Sequence, residues 1–136
     1  MLSITKIFHF EAAHLISSHD GPCRNLHGHS YELHVTLAGE QLNHQYMLAD
    51  FTELKALVQE QVLADFDHSL ILMRTPENLK LYGDINSRTF WMEGEPTVEY
   101  LLLDMVSRLA DKLPRGLELK RLKLYETKAN YAEWEP

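Results

Sequence analysis

The sequence contains very little cysteine and no long apolar run. Cys23 is the only cysteine in 136 residues, so a disulfide within the chain is excluded. No segment approaches the roughly 18 apolar residues that would span a bilayer. Near the N-terminus, Lys6, His9 and Glu11 interrupt the apolar stretch, unlike the apolar region of a signal peptide. We therefore expect a cytoplasmic protein that has no membrane partner.

Positive charge is also scarce. The 13 Lys and Arg residues are outnumbered by 20 Asp and Glu residues, which gives a formal net charge of −7. This acidic balance argues against a nucleic-acid partner or an anionic membrane surface. The chain also lacks repeats, low-complexity tracts and Ser/Gly-rich linkers, and its length suits one domain. We expect a single domain over residues 1–136.

The apolar residues follow the periodicities of strands and helices in turn. A period-2 pattern predicts strands from Leu2 towards His14 and from His27 to Gly39, separated by a loop. Asp50 and Glu53 form a capping-box pattern at the start of a helix. The other predicted elements are an apolar run at 70–73, a short strand at 88–92, strands at 118–127 and 131–134, and helices over 51–64, 75–83 and 97–112. This order predicts an α+β fold with an antiparallel sheet and two long helices on one face. It shows no βαβ alternation and no Gly-rich phosphate loop.

Histidine is abundant, with eight residues in the chain and five of them before residue 30. His27 and His29 stand at i and i+2, so a strand would place both imidazoles on one face. Pairing with the first strand would bring His14 beside them. Three converging imidazoles match an open zinc site, although imidazole also suits copper, iron and nickel. Taken alone, a His-x-His pair is also common on surface strands.

Other polar residues allow more than one interpretation from the sequence alone. Cys23 lies in a polar loop, where its thiolate could be a base, a nucleophile or a fourth metal ligand. Asp67 and His68 are adjacent, and on a strand their side chains would face opposite ways. Glu126 is expected to be solvated near the end of a strand. Glu99, in the first turn of a helix, already has a structural role beside the helix dipole.

Six segments resemble, in order, the 6-pyruvoyl-tetrahydropterin synthase family, and specifically its bacterial 6-carboxytetrahydropterin synthase branch of the queuosine pathway. They are FEAAH, CRNLHGHSY, ADFTELK, DHSLIL, PTVEYL and YET. The Cys-x3-His-Gly-His spacing is the most specific element and fits the bacterial branch. The resemblance implies the tunnelling fold, in which protomers join their sheets into a barrel. It further implies a homo-oligomer, a hexamer built from two trimers, with active sites between subunits.

The resemblance also implies a role for each matching residue. The implied zinc ligands are His14, His27 and His29. Cys23 is implied as the proton-abstracting base, and Asp67 with His68 as a proton relay that could serve a neighbour's Cys23. Glu126 is implied as the pterin anchor, while Thr97 and Glu99 line the pterin pocket. Tyr100 departs from the family pattern, which commonly has Asn at that position.

The implied reaction converts 7,8-dihydroneopterin triphosphate to 6-carboxytetrahydropterin, acetaldehyde and triphosphate, with Zn²⁺ as the cofactor. One alternative is the same enzyme class with 6-pyruvoyl-tetrahydropterin as product. Another is a metal- or pterin-binding relative without catalysis. A three-His metalloenzyme on a cupin barrel fits less well, because the sequence predicts two long helices. We expect the other histidines to lie on the surface or around the metal ligands; they are His9, His19, His34 and His44.

Overall fold

A six-stranded sheet organises the part of the chain that the computed structural model describes, residues 1–85 and 88–136. The strand order across the sheet is β4-β3-β1-β2-β5-β6. The strands are β1 Leu2–His14, β2 His27–Gly39, β3 Ser69–Met73, β4 Thr89–Met92, β5 Leu117–Tyr125 and β6 Tyr131–Trp134. The five predicted strands are all present and in the predicted order, and the apolar run at 70–73 forms a sixth strand, β3, that was not predicted as such.

The sheet is mixed, so the expectation of a wholly antiparallel sheet is wrong for two strands. Strands β1, β2, β5 and β6 pair antiparallel, as predicted. Strand β3 is parallel to β1, and β4 is parallel to β3. The chain between β3 and β4 passes through a short helix, Pro76–Tyr82, which makes a βαβ crossover that the sequence pattern did not reveal.

Helical segments account for most of the remaining chain. They are a 3₁₀ turn Pro22–Arg24, α1 Phe51–Val58, a π-helical segment Gln59–Leu63, α2 Ala64–Phe66, α3 Pro76–Tyr82 and α4 Val98–Ala110. The predicted helix over 51–64 is therefore continuous but contains a π segment, whose Gln61 carbonyl accepts a hydrogen bond from Arg108 Nη1 at 2.9 Å. The Asp50 carboxylate caps α1 by accepting from the Thr52 N–H at 2.7 Å.

The core lies between one face of the sheet and the long helices. Phe10 of β1 stacks on Tyr31 of β2 with ring centroids 4.8 Å apart. Helix α4 contributes its buried apolar stripe to the same cluster, which includes Leu101, Met105 and Leu109. The i, i+3, i+4 spacing of that stripe explains why the helix packs with one face against the sheet. None of the described helices combines the length and apolar character needed to cross a membrane.

The closing strand is shorter than the predicted 118–127. Strand β5 ends at Tyr125, and Glu126 and Thr127 begin the turn into β6. The Thr127 hydroxyl accepts hydrogen bonds from the N–H groups of Ala129 and Asn130, which stabilises this turn. Glu126 consequently projects from the end of a strand, where its side chain is free of the alternation imposed within the sheet.

Candidate metal centre and adjoining cavity

The β1–β2 hairpin brings three histidines together at one end of the sheet. His14 and His27 are direct cross-strand partners, and His29 pairs with Ala12 two positions along. The Nε2 atoms of His14 and His27 are 3.1 Å apart. Candidate ligand atoms of all three residues lie within 4.8 Å of one another. The register of two paired strands thus brings together the three residues predicted as metal ligands.

Backbone carbonyls orient two of the imidazoles. His14 Nδ1 lies 2.8 Å from the Pro96 carbonyl oxygen, and His27 Nδ1 lies 2.7 Å from that of Asn25. A carbonyl oxygen can only accept, so each Nδ1 carries a proton and donates it. The Nε2 atom of each ring therefore has its lone pair free for a metal ion.

The surroundings of these nitrogen atoms fit a bound cation. His29 Nε2 is buried and has no hydrogen-bond partner among the described residues. Glu126 Oε1 lies 3.4 Å from His14 Nε2 and 3.5 Å from His29 Nε2. Lone pairs and a carboxylate converge here, which costs free energy unless a cation or protons lie between them. In a tetrahedral Zn²⁺ site the nitrogen ligands stand about 3.3 Å apart, close to the His14–His27 spacing.

Burial also keeps the histidines ready to bind a metal. Burial lowers the pKa of His14 to about 4, despite the opposing hydrogen bond to Pro96. Burial likewise lowers the pKa of His29, although the Glu126 carboxylate opposes the shift. Both rings are thus neutral at pH 7, which is the form that coordinates metal ions. The donor set fits a divalent ion such as Zn²⁺.

A cavity of about 560 Å³ adjoins the histidine cluster. It brings together five of the residues predicted from the sequence: His14, Cys23, Thr97, Glu99 and Glu126. Cys23 is exposed and lies in the 3₁₀ turn Pro22–Arg24, which is part of the loop between β1 and β2. Thr97 and Glu99 enter from the N-terminus of α4, where the Thr97 hydroxyl caps the helix. A thiol, a carboxylate and a candidate metal centre therefore face one space that can hold a small molecule.

Comparison with known proteins decides the family. The family model described as 6-pyruvoyl tetrahydropterin synthase matches residues 3–136. The chain belongs to this family. The family predicted from the sequence resemblance is thereby confirmed.

Relatives and proteins of similar fold match the chain along nearly its whole length. The chain is 34% identical over 142 residues to the 6-carboxy-5,6,7,8-tetrahydropterin synthase of Haemophilus influenzae, covering 99% of each chain. An uncharacterized protein of Wolinella succinogenes has a similar crystal structure, with TM-score 0.84, 19% identity and coverage of 98% and 97%. The 6-pyruvoyl tetrahydropterin synthase of Caenorhabditis elegans gives TM-score 0.72, 22% identity and coverage of 99% and 95%. The α+β tunnelling fold is confirmed.

The predicted proton-relay pair, Asp67 and His68, does not line the cavity that contains Cys23. His68 lines a separate cleft of about 400 Å³, together with His29 and Ser30. Asp67 Oδ1 accepts from the Glu11 N–H at 3.0 Å and lies 3.6 Å from His68 Nε2. The two side chains thus meet, and the expectation from strand geometry that they face apart is wrong. The reason is a turn, in which His68 has a left-handed φ of 59°.

Glu126 is also placed differently from the expectation based on its own sequence position. Its side chain is 23% exposed and lies against the histidine cluster, so it is not simply solvated. Tyr31 was not predicted as a site residue, although its hydroxyl lies 3.4 Å from His14 Nδ1. Its position two residues after His29 on the same strand was the available signal. Burial raises the pKa of Tyr31, which keeps the phenol protonated beside the ligands.

Tyr100, His34 and His9 make local contacts outside the histidine cluster. The Tyr100 ring packs on Gly94, where an added Cβ would lie 2.9 Å from the ring. This residue therefore supports the loop before α4. On the polar face of the sheet, His34 Nε2 lies 2.5 Å from Glu32 Oε1, and His9 Nδ1 lies 3.9 Å from the same carboxylate. The His34 contact lowers the pKa of Glu32.

Two more of the predicted surface histidines can be placed. His44 is exposed, as predicted. His19 lines the cavity beside the histidine cluster, and its Nδ1 accepts from the Gly21 N–H at 2.8 Å.

Proposed function

We propose that the chain is a Zn²⁺-dependent 6-carboxy-5,6,7,8-tetrahydropterin synthase that serves queuosine and 7-deazapurine biosynthesis. Its substrates would be 7,8-dihydroneopterin triphosphate and water, and its products 6-carboxytetrahydropterin, acetaldehyde and triphosphate. The observation that carries this proposal is the cavity in which Cys23 and Glu126 adjoin the three-histidine cluster. The name of the Haemophilus influenzae relative supports the choice of product.

Glu126 is the proposed anchor for the pterin ring. The 2-amino-4-oxopyrimidine edge presents adjacent N–H donors, and one carboxylate can accept both. Glu126 is well placed for this because it stands between the cavity and the histidines, with Oε1 within 3.5 Å of His29 Nε2. Thr97 and Glu99 line the same cavity and would contact the bound ring.

Cys23 is the proposed base that removes a proton from the substrate side chain. A Zn²⁺ ion on His14, His27 and His29 would supply Lewis acidity for the side-chain oxygens of the substrate. His68 would exchange protons as general acid and base, and Asp67 would orient its imidazole. The 3.6 Å approach of Asp67 Oδ1 to His68 Nε2 supports this pairing.

We further propose that active sites form between subunits of a hexamer. Within one chain, Cys23 and His68 line different cavities, which supports a site shared by two chains. Mixing C23A and H68A subunits tests this idea. If the site is shared, co-assembled subunits recover about a quarter of wild-type activity, because one combination in four restores both residues. If both residues act within one chain, mixing recovers nothing.

The test of the reaction is a product assay on protein of measured zinc content. The zinc-loaded protein is incubated with 7,8-dihydroneopterin triphosphate, and triphosphate, acetaldehyde and pterins are quantified. We expect all three products in equal amounts. A 6-pyruvoyl product without acetaldehyde would instead identify a 6-pyruvoyl-tetrahydropterin synthase. Zinc and pterin binding without release of triphosphate would identify a non-catalytic relative.

A further inference from the structure

Two hydrogen bonds connect the loop that carries Cys23 to the segment preceding α4. The Ser17 N–H donates to Glu95 Oε2 at 2.8 Å, and the Ser17 hydroxyl donates to Glu95 Oε1. One carboxylate thus accepts two hydrogen bonds from a single loop residue. Contacts of this kind fix both the position and the orientation of the loop backbone.

Backbone hydrogen bonds connect the residues beside Ser17 to Cys23. The N–H of Ile16, which precedes Ser17, donates to the Cys23 carbonyl at 2.8 Å. Bonds from Asn25 N–H to Pro22 carbonyl and from Arg24 N–H to Gly21 carbonyl then close the 3₁₀ turn around Cys23. These backbone bonds hold the loop to itself, whereas the Glu95 carboxylate connects it to another part of the chain.

The residue after Glu95 contacts the metal centre. The Pro96 carbonyl accepts from His14 Nδ1, and the next residue, Thr97, lines the cavity. Residues 95–97 therefore contact the Cys23 loop, a metal ligand and the cavity wall in succession. We infer that Glu95 is a positioning residue, which sets Cys23 relative to the histidine cluster. The inference rests on the proposed function, in which Cys23 acts on a substrate held beside those histidines.

The substitutions E95A and E95Q test the inference in the zinc-loaded full chain. E95A removes both acceptors, whereas the amide of E95Q can accept from the Ser17 N–H and donate to the Ser17 hydroxyl oxygen. For E95A we expect exchange of the Ser17 amide hydrogen to accelerate at least tenfold, on the order expected for loss of a local tie. We expect kcat to fall about 10- to 100-fold, because small misplacement of a reacting group has effects of that size. KM and zinc content should stay within about twofold, and E95Q should restore both kcat and exchange.

Glu93 provides a matched control, because it is an exposed acid on the same loop. E93A should behave as the wild type in every measurement. S17A keeps the N–H partner and loses the hydroxyl, so it should give an intermediate effect and provides a milder variant if E95A folds poorly. An unchanged Ser17 exchange rate in E95A would overturn the contact. Accelerated exchange with wild-type kcat would overturn the positioning role.

A readout independent of turnover separates this inference from the proposed function. Cys23 is the only cysteine, so a trifluoromethyl label can be attached there alone and observed by fluorine NMR. In E95A we expect the linewidth of the label's fluorine resonance to fall at least about twofold, because the turn gains fast motion. The linewidth in E95Q should equal that of the wild type. If the wild type turns over no pterin, the proposed function fails while the label still decides whether Glu95 positions Cys23. An unchanged label resonance in E95A would overturn the inference.

Discussion

Arg108 connects α4 to the helical segment that leads to Asp67 and His68, and its replacement should weaken the fold. Its Nη1 lies 2.6 Å from Asp65 Oδ2 and donates to the Gln61 carbonyl at 2.9 Å. Its Nε lies 2.6 Å from Asp104 Oδ2. Burial alone would lower the pKa of Arg108, but the two carboxylates outweigh it and raise the pKa. The guanidinium therefore stays charged at any pH at which the protein is folded.

The size of the effect follows from these contacts. The two carboxylates are partly exposed, so each ion pair contributes about 0.5 kcal/mol after solvent screening. The guanidinium lies 4.8 Å from the Phe66 ring centroid and 5.1 Å from that of Phe90. Each cation–π contact adds about 0.5–1 kcal/mol. The bond to the Gln61 carbonyl in the π segment adds about 1 kcal/mol. R108M keeps the apolar stem, so we expect a loss of about 3 kcal/mol in the free energy of unfolding.

Urea and thermal denaturation of R108M, R108K and wild type measure this loss. For a chain of this length the loss corresponds to a Tm lower by roughly 10 °C. R108K keeps the charge without the planar fork and should lose about half as much. R121M is the matched control, because the Arg121 side chain is 40% exposed and its Nη1 lies 4.0 Å from Glu135 Oε1. A loss for R108M no larger than that for R121M would refute the reasoning.

Three further predictions concern the site. H27A should lose the metal, whereas C23A should keep it and lose turnover; metal analysis and the product assay check both. In metal-free protein, burial of His14 favours its neutral form, so between about pH 6.5 and 4 the unfolded chain binds a proton at His14 that the folded chain does not. The free energy of unfolding should therefore be complete above about pH 6.5 and fall as the pH falls towards 4. The loss is about 2 kcal/mol at pH 4.5. Equal free energies of unfolding at pH 7 and pH 4.5, measured by urea denaturation, would contradict this prediction. H68N should fold normally, while H68V should lose about 1 kcal/mol more because β-branched residues resist a left-handed φ; denaturation curves compare the two.

The convergence of the three candidate metal ligands could be predicted from the sequence because their geometry is local. His27 and His29 share a strand face through the period-2 rule alone. His14 then needs one further assumption, antiparallel pairing with the preceding strand, which short connections favour. The observed register, with His14 opposite His27, satisfies it. The apolar spacing likewise located the two long helical segments and the hairpin core.

Features that depend on contacts between distant segments could not be predicted in this way. Strand β3 follows β2 in the chain but pairs with the other edge of β1, so it lies parallel to β1 and not antiparallel beside β2. The π segment contains the Gln61 carbonyl that Arg108 contacts, 47 residues later in the chain. The approach of Glu126 to His14 and the bond between Glu95 and Ser17 join segments with no shared periodicity. No pattern within a single element encodes such contacts.

The candidate metal ligands and the proposed proton-transfer residues therefore depend on different parts of the fold. The histidines are held by paired strands, whose backbone register leaves little freedom. Cys23 and His68 lie on turns, and side chains from elsewhere hold those turns. Glu95 holds the Cys23 loop, and Arg88 Nη2 donates to the Asp67 carbonyl at 2.8 Å beside His68. Substitutions that loosen these turns should lower turnover and spare metal content, whereas substitutions that disturb the hairpin should lower both.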